Sequence, residues 1–288
     1  MYTYLERAED GLPMRSAGEW AAVKLDYLRR YIDVFETSMR KKWSERNYID
    51  LMAGPGKNRV KDTGEILLGS PLLSLITKYP FTTYYFVDLE QINTDALKKR
   101  CSASQITERI HIDTSDCNNL IDSIVTKIKR TEQLSLNLAF LDPEGMELHW
   151  ETVAKLASIR RMDLIINYPQ YSLNRAMKPA FDCAIDTAVD RFFGDHSWRE
   201  VYRNWLVNRP TGLHRQLIDL YRIKLQDLGY SEVRSGDEIG DEPLIRNVRR
   251  NAPLYRLLFA SKHPLGEKFW HAITQRDLHG QLRLMDSY

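Results

Sequence analysis

The feature that most constrains this chain is an alternation. Short apolar runs at 48–52, 84–87, 110–112, 136–141 and 164–168 have strand length, and 71–79, 91–101, 116–130 and 149–159 between them have helical character. The helix at 71–79 is the best delimited, with Ser70 as its cap, Pro71 at its first position and Pro80 as its stop. Mostly apolar strands separated by helices are expected to lie parallel, because each helix returns the chain to the same sheet edge and both faces are then covered. An α/β, doubly wound sheet is therefore expected.

Ahead of this unit, Ser16-Ala17-Gly18-Glu19 has capping-box form. Trp20, Val23, Tyr27, Tyr31, Val34 and Phe35 then recur at helical spacing, which predicts one long helix to about Trp43. Helical character returns over 177–228, followed by weak strand signal at 231–235 and a clear one at 254–260. The expected division is an N-terminal helical segment 1–46, a core 47–176, a helical insertion 177–228 and a return to the sheet over 229–288. With 43% hydrophobic and 10% aromatic residues, 288 residues can bury an ordinary core. No apolar run is long enough for a bilayer span, and the first residues have neither the basic nor the apolar part of a signal peptide, so a cytoplasmic protein without membrane contact is expected. Cys101, Cys117 and Cys183 have no CxxC spacing and the histidines no metal spacing, so neither a disulfide framework nor a metal is expected.

The strand ends carry the chemistry. The first runs into Asp50-Leu51-Met52-Ala53-Gly54-Pro55-Gly56, a small-residue turn that lets a ligand approach the backbone, or a plain turn; Lys57 does not complete a Walker loop. Asp88 ends the second, placed to accept from both hydroxyls of a ribose, or with Glu90 to cap the next helix. Asp113 and Asp116 end the third, near an adenine edge or as helix caps. The fourth runs into Asp142-Pro143-Glu144-Gly145, a carboxylate directly after an apolar strand. Asn167-Tyr168-Pro169 ends the fifth and offers an aromatic, or a simple turn, at the same edge.

These motifs together resemble class I S-adenosylmethionine-dependent methyltransferases. More closely, YIDLMAGPG at 48–56, GSPL at 69–72, FVDLE at 86–90, FLDPEG at 140–145, LIINYP at 164–169 and LLFASKHPLGEKFW at 257–270 resemble the three-Cys-motif partner (TcmP) family. The resemblance implies a Rossmann-like methyltransferase sheet and an S-adenosylmethionine pocket. In it, Ala53, Gly54 and Gly56 would lie near the methionine part, Asp50 at the donor's amino group, Asp88 on the ribose, Asp113 near the adenine and Ser70 near the donor carboxylate. It also implies a radical-SAM-like three-Cys-motif protein as a partner. Asp142-Pro143 stands where amino-methyltransferases of nucleic acids carry Asp/Asn-Pro-Pro-aromatic, which assigns Asp142, Pro143 and Glu144 to the catalytic position. Glu144-Gly145 departs from that motif by lacking the second proline and the aromatic.

The net charge of +2 conceals a division: residues 243–288 hold eight Lys/Arg against three acids, a net of +5, leaving −3 for the rest. Arg246, Arg249, Arg250 and Lys262 are the candidate contacts to RNA or DNA, or else solvate one face. The expected function is methylation of a nucleic-acid base, with an amino nitrogen favoured. The alternatives are a non-catalytic adaptor or nucleic-acid-binding partner with this fold, and a small-molecule methyltransferase.

Overall fold

The computed structural model describes residues 5–183, 185–209, 211–230, 242–247 and 250–276. Its centre is a seven-stranded sheet. Five strands are parallel: β3 (Glu45–Asp50), β6 (Thr83–Asp88), β7 (Ile110–Thr114), β8 (Ser135–Leu141) and β9 (Met162–Tyr168). Two more close one side, β10 (Leu244–Asn247) and β11 (Ala252–Ala260), with β11 antiparallel to both of its neighbours. The spatial order is β10-β11-β9-β8-β3-β6-β7. From β3 the chain winds outward through β6 to β7 and then crosses to β8 and β9, so the topological switch point lies between the carboxyl ends of β3 and β8.

The period of two along each strand divides the core. Tyr48, Tyr84, Phe86, Leu138, Phe140, Ile165, Leu257 and Phe259 face one cluster, which includes α1 (Trp20–Met39), α2 (Ser70–Leu75), α3 (Gln91–Cys101) and α10 (Pro264–Thr274). Ile49, Tyr85, Val87, Ala139, Leu141, Leu164, Ile166 and Leu258 face the other, with α4 (Cys117–Lys129), α5 (Trp150–Ala157), α6 (Gln170–Asp182), α7 (Ala188–Phe193), α8 (Ser197–Asn208) and α9 (Leu213–Asp227). The sheet is thus doubly wound and Rossmann-like, as expected.

Several local expectations are corrected. Ser16 and Ala17 lie in a strand, and α1 begins after Glu19, whose backbone is already helical and whose side chain caps nothing. The Trp20 ring lies over Gly18, where a Cβ would meet it at 1.9 Å, so Gly18 is fixed by packing rather than by capping. Helix α1 ends at Met39, short of Trp43, and α2 ends at Leu75, with Gly69 rather than Ser70 as its N-cap. The helical stretch expected from 177 begins at Gln170 and comprises α6, α7, α8 and α9 among the described residues. The weak strand expected at 231–235 lies outside them.

A second, four-stranded sheet has no counterpart in the sequence reading: β1 (Leu5–Arg7), β2 (Pro13–Ala17), β4 (Lys57–Val60) and β5 (Ile66–Leu68), in the order β1-β2-β4-β5. The strands are short, and the one apolar run among them, Ile66-Leu67-Leu68 of β5, is too brief to announce a sheet. Pairing of β2 with β4 ties the chain ahead of α1 to the segment just after the glycine turn. Arg100 of α3 clamps the same junction, donating to Pro13 O, Pro55 O and both oxygens of Asp10.

On the α1 face, a buried lock joins three distant segments. Asp163 of β9 accepts from Tyr31 Oη of α1 at 2.8 Å and from Ser261 Oγ after β11 at 2.6 Å. Tyr31→Phe leaves one buried carboxylate oxygen without that donor and is expected to destabilise the protein by about 1–3 kcal/mol, read from urea unfolding.

Candidate functional site

The same period of two that divides the core builds the site. Asp88 follows Phe86 by two residues on β6, Asp50 follows Tyr48 on β3, Asp142 follows Phe140 at the end of β8 and Asn167 follows Ile165 on β9; Tyr255 precedes Leu257 on β11. All five therefore extend from the α1 face, in one row across the carboxyl edge, with Asp50 and Asp142 flanking the switch point.

Each carboxylate is satisfied differently. Asp88, 4% exposed, is held by the turns around it. Its Oδ2 accepts from Gly54 N at 2.8 Å, and its Oδ1 from Glu90 N at 2.9 Å and Asn93 Nδ2 at 2.8 Å. Gly54 sits at φ +65, a left-handed conformation that turns its N–H onto Asp88. Gly56, at φ +92, has Leu72 and Leu97 at 3.0 Å from where a Cβ would stand, and Ala53 N donates to Val87 O at 2.8 Å.

Asp50 is fully buried. Its Oδ1 accepts from Met52 N at 3.3 Å, and its Oδ2 has no hydrogen-bond partner among the described residues. Burial pushes its carboxyl up to about 7; the nearby Ser70 hydroxyl opposes the shift, and the charges of Asp142 and Asp88 add to it. Ser70, buried at the start of α2, thus contributes to the surroundings of Asp50.

Asp142 is held from the opposite side. Lys24 Nζ, on the second turn of α1, donates to both of its oxygens at 2.6 and 2.7 Å, and Asn167 Nδ2 donates to Oδ1 at 2.7 Å. Glu144 is 72% exposed at the side chain and pairs with Arg15 of β2 at 3.0 Å. The same guanidinium reaches Asp88 at 3.5 Å and passes over Gly54, so it spans the row from β6 toward β8.

The other expected residues separate. Asp113 lies on the opposite face of β7, and Thr114 takes the register position beside Asp88 and pairs with Thr94 of α3. Asp116 caps α4 through Asn118 N. Tyr168 points away from the row and is fully buried, with its hydroxyl 3.2 Å from His214 Nδ1; Asn167, not the aromatic beside it, joins the site. Lys262 follows β11 at the amino edge of the parallel strands, where its ammonium donates to Ala157 O and Ile159 O beyond α5, so its position argues against a phosphate contact beside the row. Arg246 and Arg250 flank the β10–β11 turn at the carboxyl edge, and Arg249 lies outside the described residues. Sequence reasoning missed Arg15 and Lys24: pairs separated by 129 and 118 positions leave no local pattern.

No protein-family model matches the chain, so the three-Cys-motif partner family remains a resemblance, and no curated protein matches it either. Solved structures give distant likenesses. A Legionella pneumophila protein of the DUF519 family aligns at TM-score 0.43 and 12% identity over 57% of this chain and 74% of its own. A conserved hypothetical protein of Streptococcus pyogenes aligns at TM-score 0.31 and 14% identity over 48% and 76%. A geranyl diphosphate methyltransferase, solved with GPP and sinefungin, aligns at TM-score 0.35 and 10% identity over 88% and 90%. Likenesses this distant assign no role to any residue.

The buried carboxyl of Asp50 has a pH signature. Its folded-state pKa near 7 lies above its ordinary value of 3.8, so the stability it contributes is present below pH 4 and is lost as pH rises through 7. Asp50→Asn is expected to remove that loss, so Tm of the variant relative to the native protein should climb between pH 4 and 7 and level off above; a constant difference would contradict the assignment.

Proposed function

We propose that this chain binds S-adenosylmethionine along the row from Asp88 to Asp142 and transfers its methyl group to an amine nitrogen held at Asp142. The observation that carries this is the fully buried Asp50 carboxyl at the switch point, whose Oδ2 makes no hydrogen bond of ordinary geometry among the described residues although the Ser70 hydroxyl lies near it, beside a second carboxylate that already holds an ammonium group. A buried acceptor oxygen without a donor is costly, and a ligand bearing an ammonium group satisfies it. The residues fit such a donor: Asp50 would take its amino group and Asp88 its ribose hydroxyls, while the turn Ala53–Gly56 brings bare backbone close. Asp88 already accepts four contacts, and Arg15 at 3.5 Å makes the longest of them, the one placed to yield to a hydroxyl.

When bound, the donor supplies a methyl group already activated as a sulfonium. Alignment and exclusion of water then matter more than acid–base chemistry. Asp142 orients the acceptor nitrogen, and Asn167 fixes the carboxylate that does so. Pro143 limits how the turn beyond it can move. A base amine of RNA or DNA is the second reading of that acceptor, favoured by Arg246 and Arg250 at this edge.

Calorimetry with the donor or its homocysteine product should show binding to the native protein and at least about 100-fold weaker binding to Asp88→Ala, which loses the anchor of both the ribose and the Gly54 turn. Absence of binding at millimolar donor would remove the proposal. With donor bound, Asp142→Ala should lower transfer of isotope-labelled methyl at least about 100-fold by losing the orientation of the acceptor. Donor binding with no transfer to RNA, DNA or free amines would favour an adaptor.

A further inference from the structure

The open side of the row holds two cations from the chain's own N-terminal segment, Lys24 on Asp142 and Arg15 on Glu144. The surroundings of the Lys24 ammonium are specific. Two carboxylate oxygens lie at 2.6 and 2.7 Å, and the Tyr255 ring centroid at 5.5 Å, within the range of cation–π attraction. Asn167, 1% exposed, donates Nδ2 to the same carboxylate, while its Oδ1 has no hydrogen-bond partner among the described residues. Burial first, and then the charges of Asp142, Glu144 and Glu147, raise the pKa of the Tyr255 hydroxyl, so the field at that hydroxyl is negative.

A carboxylate, an aromatic face and a buried amide oxygen lacking an N–H together recognise a cation that carries several N–H donors. A base amine is neutral and gains little from the ring face. Its phosphates would also meet Glu144 and Glu147, and the turn after Asp142 has no aromatic on which a base can stack. Lys24 reaches the site from a helix packed on the sheet, so the cation now held there is tethered, at high effective concentration.

We propose that the Asp142–Asn167–Tyr255 subsite binds a primary alkylammonium, the side-chain amine of a lysine or a polyamine, and that Lys24 is an internal stand-in which this ligand displaces. The inference rests on the methyltransferase reading for the fate of the bound amine, which would first give up a proton to Asp142 or water so that its lone pair could take the methyl group as the C–S bond of the sulfonium breaks; the cation site itself rests on its own geometry.

Lys24→Ala removes the tethered ammonium and leaves Asp142 with Asn167. Propylammonium chloride should raise the Tm of this variant above that in sodium chloride of equal ionic strength. By calorimetry it should bind the variant at least about tenfold more tightly than the native protein, where Lys24 competes. Lys24→Ala combined with Asp142→Asn should show neither effect. If circular dichroism shows that Lys24→Ala does not fold, Lys24→Met keeps the stem and takes the same titration. A folded variant that responds to propylammonium no more than to sodium overturns the proposal, as does labelled methyl appearing on an RNA or DNA oligonucleotide and on no alkylamine. Donor calorimetry on the same samples separates the two readings: donor binding without an amine response removes this inference and leaves the methyltransferase, and an amine response without donor binding does the reverse.

Discussion

Three carboxylates at the ends of three adjacent parallel strands set the problem that the rest of the structure solves. Neighbouring strands lie about 4.8 Å apart, and like charges at such spacing in a poorly solvated place repel strongly. Asp88 is relieved by N–H groups of its own and the glycine turn, Asp50 by a carboxyl whose pKa burial raises to about 7, and Asp142 by an ammonium brought from α1. The three solutions differ because the surroundings differ: a turn offers backbone donors, a buried strand end offers few, and a helix packed across the sheet can deliver a long side chain.

This gives the N-terminal segment its place in the molecule. Pairing of β2 with β4 and the Arg100 clamp fix Arg15 over Gly54, and the Tyr31–Asp163–Ser261 lock fixes α1, and with it Lys24, over β8. The cover of the crevice and its charge compensation are one element. Whatever enters the row must compete with Arg15 or Lys24, so ligand binding and the seating of this segment are coupled through shared carboxylates.

The sheet was legible in the sequence because buried parallel strands are mostly apolar, and their runs at 48–52, 84–87, 136–141 and 164–168 stand out from the helices between them. Asp50, Asp88 and Asp142 were legible for the same reason: each is the first acid at the end of such a run. The four-stranded sheet was not, since its strands are short and half exposed and carry no period that a core imposes. The N-terminal segment was read as helical because the periodicity of α1 is strong, and nothing local marks the strands ahead of it.

By itself the sequence determined that the chain folds into a doubly wound α/β sheet with acids at neighbouring strand ends, because hydrophobic period and turn chemistry are local properties. Tertiary structure alone decided which of those acids share a face. Alternation brings Asp88, Asp50, Asp142 and Asn167 into one row and sends Asp113 and Tyr168 to the other side. It also decided which charges answer them, because Arg15 and Lys24 meet Glu144 and Asp142 across more than a hundred residues, and such pairing follows from packing and not from spacing along the chain.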